Sequence, residues 1–308
     1  MNILERIIVY NYKVPYFIRE FLFQLTLIFK NKIYSLHLKK FFKNNQDHIN
    51  QLNSDGIIFM DNSQPSRIKI DEMTDALDEI DVNKNTNMSQ KKISYETEDL
   101  ASNVQFLSLA MDNEIISLAR NYFGAPPKIA FLKAWKVNSG ADDLSEMSFH
   151  MDHHGHRFLK AFWYLNDVEE GAGHHEYIKK THYQPSLDNT LKHAPDDLKS
   201  DLLQKRKMKG KFLMNNDLVN SFFGENVLKI AGKAGTCFVE DTRGLHRGTK
   251  MPEGKFRIIF QVLYVPYLSS KDKNVHHRIT NDQVLSKIIN YGRNQKLLNK
   301  FIFNELID

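Results

Sequence analysis

Ser148-Phe149-His150-Met151-Asp152 is the stretch on which the reading of this chain turns. Along an extended backbone successive side chains alternate between faces, so residues two apart share one. His150 and Asp152 then send an imidazole and a carboxylate into the same space. Far along the chain, Gly244-Leu245-His246 offers a second imidazole. Two imidazoles and one carboxylate on one side of a metal leave three adjacent coordination positions open, as in mononuclear non-heme Fe(II) sites. The expectation is that residues 127–267 build a barrel around such an ion.

Outward from this stretch the sequence carries strand-like periods. Residues 129–137, 158–166, 176–179, 235–240 and 255–265 read as short strands, as does the His150 segment itself. Residues 56–60 form an earlier apolar run after the turn signal Ser54-Asp55-Gly56. Many short strands with turns between them point to a sandwich or barrel. Helices are expected at the end of 45–52, near 70–80 with an exposed loop after it, and over 105–122, stopped by Gly124 before Pro126-Pro127. Residues 185–230 read as an insertion forming a lid or rim, with helical spacing at Leu198, Leu202 and Leu203. Beyond Pro266, Val284, Ile288, Ile289 and Tyr291 suggest a closing helix. Three regions result: an N-terminal hydrophobic and basic segment (1–44), a catalytic barrel (45–270) and a helical tail (271–308).

Bulk composition narrows the function classes. With 42% apolar and 26% charged residues, the 308-residue chain reads as an ordinary globular protein. A single cysteine, Cys237, excludes an internal disulfide and fits a reducing, cytoplasmic setting. It reads as a small buried hydrophobe. The net charge is +5, and the first 40 residues hold seven Lys/Arg against two Glu, also +5, so the remainder is balanced. The excess is one terminal segment without a zinc finger, RNP motif or basic heptads, so no nucleic-acid partner is expected. The longest charge-free apolar run in that segment is nine residues, 21–29, whereas a membrane span needs about 20. No small-residue cleavage site follows, which argues against a secretory signal. Ile18, Phe21, Leu22, Leu25, Ile28 and Phe29 have helical spacing. That helix either packs on the barrel or makes a peripheral membrane contact, apolar side in lipid.

Thirteen histidines are present, and seven lie between 150 and 182. Arg257 follows His246 inside the apolar run 255–263, where alternation puts it on the face of Ile259, Gln261 and Leu263. An arginine inside an apolar strand is costly unless an anion pairs with it. Its planar fork suits a carboxylate. A structural Arg–Asp pair is the plainer alternative.

Three stretches then resemble the phytanoyl-CoA dioxygenase-like family of Fe(II)/2-oxoglutarate oxygenases, over about 128–267 with a weaker echo at 52–60. Phe149-His150-Met151-Asp152-His153, with residues 157–168 after it, resembles the first metal motif and the strand beyond. Residues 173–182 resemble the family's Gly-Pro-His-x-Tyr-Val-x-x-Ser-His segment, with His174 in place of Pro and Thr181 in place of Ser. Residues 235–248, with Arg257 beyond, resemble the second metal motif and the co-substrate arginine.

The resemblance implies a mainly β fold with flanking helices, a double-stranded β-helix of the jelly-roll, cupin-like kind. It implies His150, Asp152 and His246 as catalytic metal ligands for Fe(II), and Arg257 as the anchor for 2-oxoglutarate, with O2 as the oxidant. Succinate and CO2 would be released as a small-molecule or lipid-linked substrate is hydroxylated. Related halogenases lack the carboxylate ligand, so Asp152 favours hydroxylation. Lys160 is a candidate second anchor for the co-substrate. His175, Gln261 and Trp135 are candidate substrate-side or supporting residues, with Tyr164 as further lining. His153, His154 and His156 are expected on a solvent-exposed turn, and His182 in a structural place. Two rivals differ in class. A non-catalytic β-helix binding module would keep the barrel without turnover. A zinc-dependent hydrolase of the His-x-His-x-Asp-His type would need a ligand where Ser148 stands.

Overall fold

Six strands make one antiparallel sheet in the order β1 (Ile57–Phe59), β7 (Cys237–Glu240), β4 (Leu159–Tyr164), β9 (Phe256–Pro266), β3 (Pro127–Asn138) and β2 (Lys92–Tyr95). Facing it is a sheet of three: β6 (Val227–Ile230), β5 (His175–Ile178) and β8 (His246–Gly248). This is a computed structural model, and it describes residues 14–38, 45–84, 91–101, 103–125, 127–140, 145–206 and 213–266. The expected loop after residue 84 and the closing helix beyond 266 fall outside the described residues.

Alternation sorts each strand of the large sheet into two faces. Leu159, Ala161 and Trp163 of β4, with Ile258, Phe260, Val262 and Tyr264 of β9, look outward into the larger core cluster. There they meet helices α2 (Gln46–Asp55), α3 (Arg67–Asn83), α5 (Val104–Ala110) and α6 (Asn113–Phe123), the four-residue α4 (Thr97–Leu100) and the buried side of α1 (Tyr16–Leu38). Phe162, Tyr164, Phe238 and Ile259 look inward and meet Tyr177 and Ile230 of the small sheet. A fully buried phenylalanine there stabilises the fold by roughly 1.5–3 kcal/mol. The sandwich is open: among the described residues the two sheets do not close into a ring.

The 105–122 helix is in fact two. Met111 ends α5, and the Asp112 carboxylate caps α6 by accepting from the backbone N–H groups of Glu114 and Ile115 at 2.9 and 3.1 Å. Gly56 ends α2 with φ +84°, and a Cβ there would lie 2.2 Å from the Tyr177 hydroxyl. That position therefore requires glycine twice over.

The insertion holds α7 (Gln184–Leu191), α8 (Asp196–Arg206) and α9 (Asn216–Phe223), which pack behind the small sheet. Leu187, Leu191, Leu198, Leu202, Val219 and Phe223 cluster there with Phe149, Met151, Ile178 and Leu245. Its last four residues are not insertion but β6, paired with β5. Among the described side chains of α1, Arg19, Phe23 and Leu27 are buried and Leu22 packs partly on the core, while Ile18 and Phe21 are exposed.

Candidate metal centre

Residues 148–152 are not a regular strand. A single antiparallel bridge joins His150 to His246, with backbone bonds of 3.0 Å in both directions. The Asp152 N–H then donates to the Thr242 carbonyl at 2.8 Å. The segment is extended enough for alternation to hold: Phe149 and Met151 turn out to the helices of the insertion. His150 and Asp152 turn in. His246 opens β8, paired with Tyr177, and so shares the inner face.

One donor atom from each of His150, Asp152 and His246 lies within 4.8 Å of the others, and all three side chains are buried. Each imidazole is fixed by the carbonyl two residues before it. His150 Nδ1 donates to Ser148 at 2.9 Å, and His246 Nδ1 donates to Gly244 at 2.9 Å. A carbonyl only accepts, so both rings carry Nδ1–H and the lone pair sits on Nε2. This is how metal-binding histidines are commonly oriented. Asp152 Oδ2 lies 3.5 Å from His246 Nε2 and 2.6 Å from Lys160 Nζ. Burial alone would raise the Asp152 pKa, but the Lys160 ammonium and His246 outweigh it and hold the carboxyl well below its usual range. At His246 burial is outweighed by Asp152, which raises the imidazole's pKa. Two imidazoles and an ionised carboxylate with converging donors fit a divalent transition metal.

Lys160 comes from the inner face of β4, where register sets it beside Glu240 of β7 and Leu263 of β9. Two rungs along, Gln261 pairs with Phe162 and Lys133. It is buried, and its Oε1 has no hydrogen-bond partner. Arg257 is buried on the same face of β9. It donates through Nη1 to the Gly173 carbonyl, Nε has no partner, and no carboxylate pairs with it among the described residues. The Arg–Asp alternative thus has no support. Desolvation lowers the Arg257 pKa. Gly248 in β8 makes room for the guanidinium, since a Cβ there would sit 3.1 Å from both terminal nitrogens. Trp135 is half-buried on β3, with Lys92 Nζ 4.4 Å from its ring centroid.

His175 lies on the inner face of β5. Its ring is 5.7 Å from that of His246, its Nε2 is 3.0 Å from Glu240, and its backbone N–H donates to the Tyr164 hydroxyl at 3.0 Å. Glu240 is fully buried, and desolvation pushes its pKa up to about 8. Glu240, Asp241 and Arg243 are the residues that sequence reasoning passed over. Their signal was present: a run of charge, Glu240-Asp241-Thr242-Arg243, directly follows the apolar Cys237-Phe238-Val239. Asp241 accepts from Arg243 Nη2 at 2.5 Å and from the Tyr122 hydroxyl at 2.6 Å, which braces the turn that carries Thr242 and Gly244.

The expected exposed histidine turn is covered instead. His156 is buried beneath α1, where its Nε2 lies 2.8 Å from Glu20 and its ring stacks on Tyr16. The His154 ring meets the edges of Phe131 and Phe158, and desolvation lowers its pKa to about 4. His182 donates to the Asn53 carbonyl at 3.2 Å. A small cavity of about 60 Å³ beside Asp152 is lined by Tyr16, Arg19, His153, His156, Gln184 and Arg243, among others.

No protein-family profile matches the sequence, and no curated protein does. Solved structures do resemble it. HygX from Streptomyces hygroscopicus, with nickel and 2-oxoglutarate bound, aligns at TM-score 0.52 and 16% identity, covering 74% of this chain and 89% of that one. SnoN, a non-heme alpha-ketoglutarate-dependent epimerase from nogalamycin biosynthesis, aligns at 0.51 and 14%, covering 72% and 83%. EctD from S. alaskensis with bound Fe aligns at 0.50 and 12%, covering 73% and 77%. At such identities the likeness is one of fold, and the fold of this chain is the jelly roll that these structures share.

Proposed function

We propose that the chain is an Fe(II)/2-oxoglutarate-dependent oxygenase that hydroxylates a small-molecule substrate. One observation carries this reading. Two histidines locked with Nε2 as the donor converge with an ionised aspartate, inside a fold whose solved relatives include proteins with iron, or with nickel and 2-oxoglutarate, bound. The family motifs at 149–153, 173–182 and 235–248 support a place near the phytanoyl-CoA dioxygenase-like group. Residues 45–270 would be the catalytic unit, between the 1–44 segment and the 271–308 tail.

His150, Asp152 and His246 would hold Fe(II). Arg257 is the cation for the distal carboxylate of 2-oxoglutarate: it is buried, it lacks a carboxylate partner among the described residues, and it can offer two parallel donors. Bound together, iron, 2-oxoglutarate and O2 supply an oxidative decarboxylation to succinate and CO2 that puts an oxygen atom into a C–H bond. The chain's own part is orientation and the exclusion of water. Lys160 fixes the rotamer of Asp152 through their 2.6 Å bond and so acts on the metal ligand, in place of a second co-substrate anchor. Glu240 fixes His175 beside the site. Gln261 and Trp135, on the inner face, are assigned to the pocket wall.

The purified chain with Fe(II), ascorbate and 2-oxoglutarate is expected to release succinate slowly even without substrate. His150→Ala and Asp152→Ala should abolish that release. Tight zinc binding with ester hydrolysis and indifference to 2-oxoglutarate would favour the hydrolase. Ligand binding without turnover would favour the binding module.

A further inference from the structure

Helix α1 is apolar on two sides, and among the described residues only one of them meets the protein. Phe23 and Leu27 enter the core. The polar residues of its first turns are also turned inward. Arg19 is 3% exposed and donates to the Val14 carbonyl and to Gln184. Glu20 accepts from Arg157 at 2.7 Å and pairs with His156 at 2.8 Å. What remains outside is Phe17 (71% exposed), Phe21 (61%) and Ile18 (37%). Positions three and four apart are neighbours on a helix surface, so Phe21 lies beside both Ile18 and Phe17 and the three form one patch. Single exposed apolar residues are ordinary, but two phenylalanines and an isoleucine beside Arg19 and Glu20, both turned inward, are not.

Charge identifies what covers the patch. Arg19 and Glu20 are both turned inward, which leaves Arg6, Lys13, Lys30, Lys32, Lys39 and Lys40 against Glu5 in the first 40 residues, while the rest of the chain is balanced. An apolar patch within a locally basic segment matches an anionic bilayer surface, which offers apolar depth for the rings and negative headgroups for the lysines. We infer that α1 docks the protein on an anionic lipid surface, with Phe17, Ile18 and Phe21 entering the boundary between headgroups and acyl chains. The contact is peripheral, since no helix among the described residues is long and apolar enough to cross a membrane. Tyr16 and Arg19, one turn or less from the patch, also line the cavity that reaches Asp152. Docking would therefore bring that cavity next to the headgroups.

The test is co-sedimentation of the full chain with phosphatidylcholine vesicles and with vesicles carrying about 30 mol% phosphatidylserine, at low and high salt. The wild type is expected to pellet with the anionic vesicles, less so at high salt, and not with neutral ones. Phe17→Ser/Phe21→Ser changes exposed side chains only, so its melting temperature should match the wild type while its vesicle affinity falls by about tenfold or more. Wild type that stays in the supernatant with both vesicles overturns the inference, as does a double variant that pellets unchanged. So does a wild-type dimer on size exclusion that the double variant dissociates while neither protein binds vesicles, because a second copy would then cover the patch. Sedimentation reads neither iron nor turnover, so its outcome is independent of the oxygenase assignment.

Discussion

Two buried carboxylates, Asp152 and Asp241, are each paired with a cation, and they differ in how completely they are satisfied. Asp241 receives Arg243 through Nε and Nη2, the Arg243 backbone N–H at 3.0 Å and the Tyr122 hydroxyl at 2.6 Å. Burial opposes its charge, yet Arg243 holds its pKa below the usual carboxylate range. Asp152 receives Lys160 at 2.6 Å and faces His246 Nε2 at 3.5 Å, a distance too long for a good hydrogen bond. A saturated carboxylate braces a turn, whereas a carboxylate with acceptor capacity left over beside two imidazoles is arranged to bind.

The largest effect should therefore come from the saturated pair. Asp241→Asn leaves the Arg243 charge buried without a counter-ion and should cost about 3–5 kcal/mol of stability in urea unfolding. A midpoint within error of the wild type would remove the contrast. Asp152→Asn should cost less, about 1–3 kcal/mol, because it weakens one charge-assisted hydrogen bond, from Lys160, where Asp241→Asn weakens several. It should nonetheless weaken Fe(II) binding by more than ~100-fold, a larger loss than outer-shell changes give. If Asp152→Asn unfolds the protein as readily as Asp241→Asn, the two pairs are doing the same job.

Glu240 sharpens the comparison from the other side, as a buried acid set beside an imidazole and not a fixed cation. Its folded pKa of about 8 lies above the ordinary 4.5, so the unfolded chain gives up this proton first. Rising pH between those values then favours unfolding. Glu240→Gln should melt higher than the wild type of the metal-free protein, by a margin that grows from pH 5 to pH 8. A pH-independent margin would contradict this. The smallest effect is at the helix contact. At Glu20 burial is outweighed by His156 and Arg157, which bring its pKa down to about 2. Its contribution is present above 4.5 and lost as pH falls towards 2. Glu20→Gln should cost about 1 kcal/mol at pH 7 and flatten that acid limb of the stability curve.

The convergence of His150 and Asp152 was legible because alternation is a property of any extended backbone. His150 and Asp152 share a face although their segment makes only one bridge, to His246. Arg257 was legible for the same reason within β9. Asp241 and Arg243 showed only as a run of charge after an apolar strand; no local pattern announces the Tyr122 hydroxyl that arrives from α6 to complete the pair. His156 was read as exposed because nothing near it in sequence foretells that α1 lies over it. For α1 the spacing left packing on the barrel and lipid contact open, because it marks apolar positions without saying what covers them; Phe23 and Leu27 meet the core, and Phe17 and Phe21 are exposed. The insertion was visible as a break in strand character, and residues 224–230 read as leading back to the barrel, which they do as β6, paired with β5.

The central claim is tested most directly by anaerobic Fe(II) titration of the full chain, followed by 2-oxoglutarate, with the visible charge-transfer absorption of the Fe(II)–2-oxo acid chelate as the readout. One Fe(II) per chain and a band that appears on adding 2-oxoglutarate are expected. His246→Ala should lose both, and Arg257→Met should keep the iron while needing far more 2-oxoglutarate to develop the band. Wild-type protein that retains no Fe(II), or a His246→Ala variant that binds it as well as the wild type, would contradict the account.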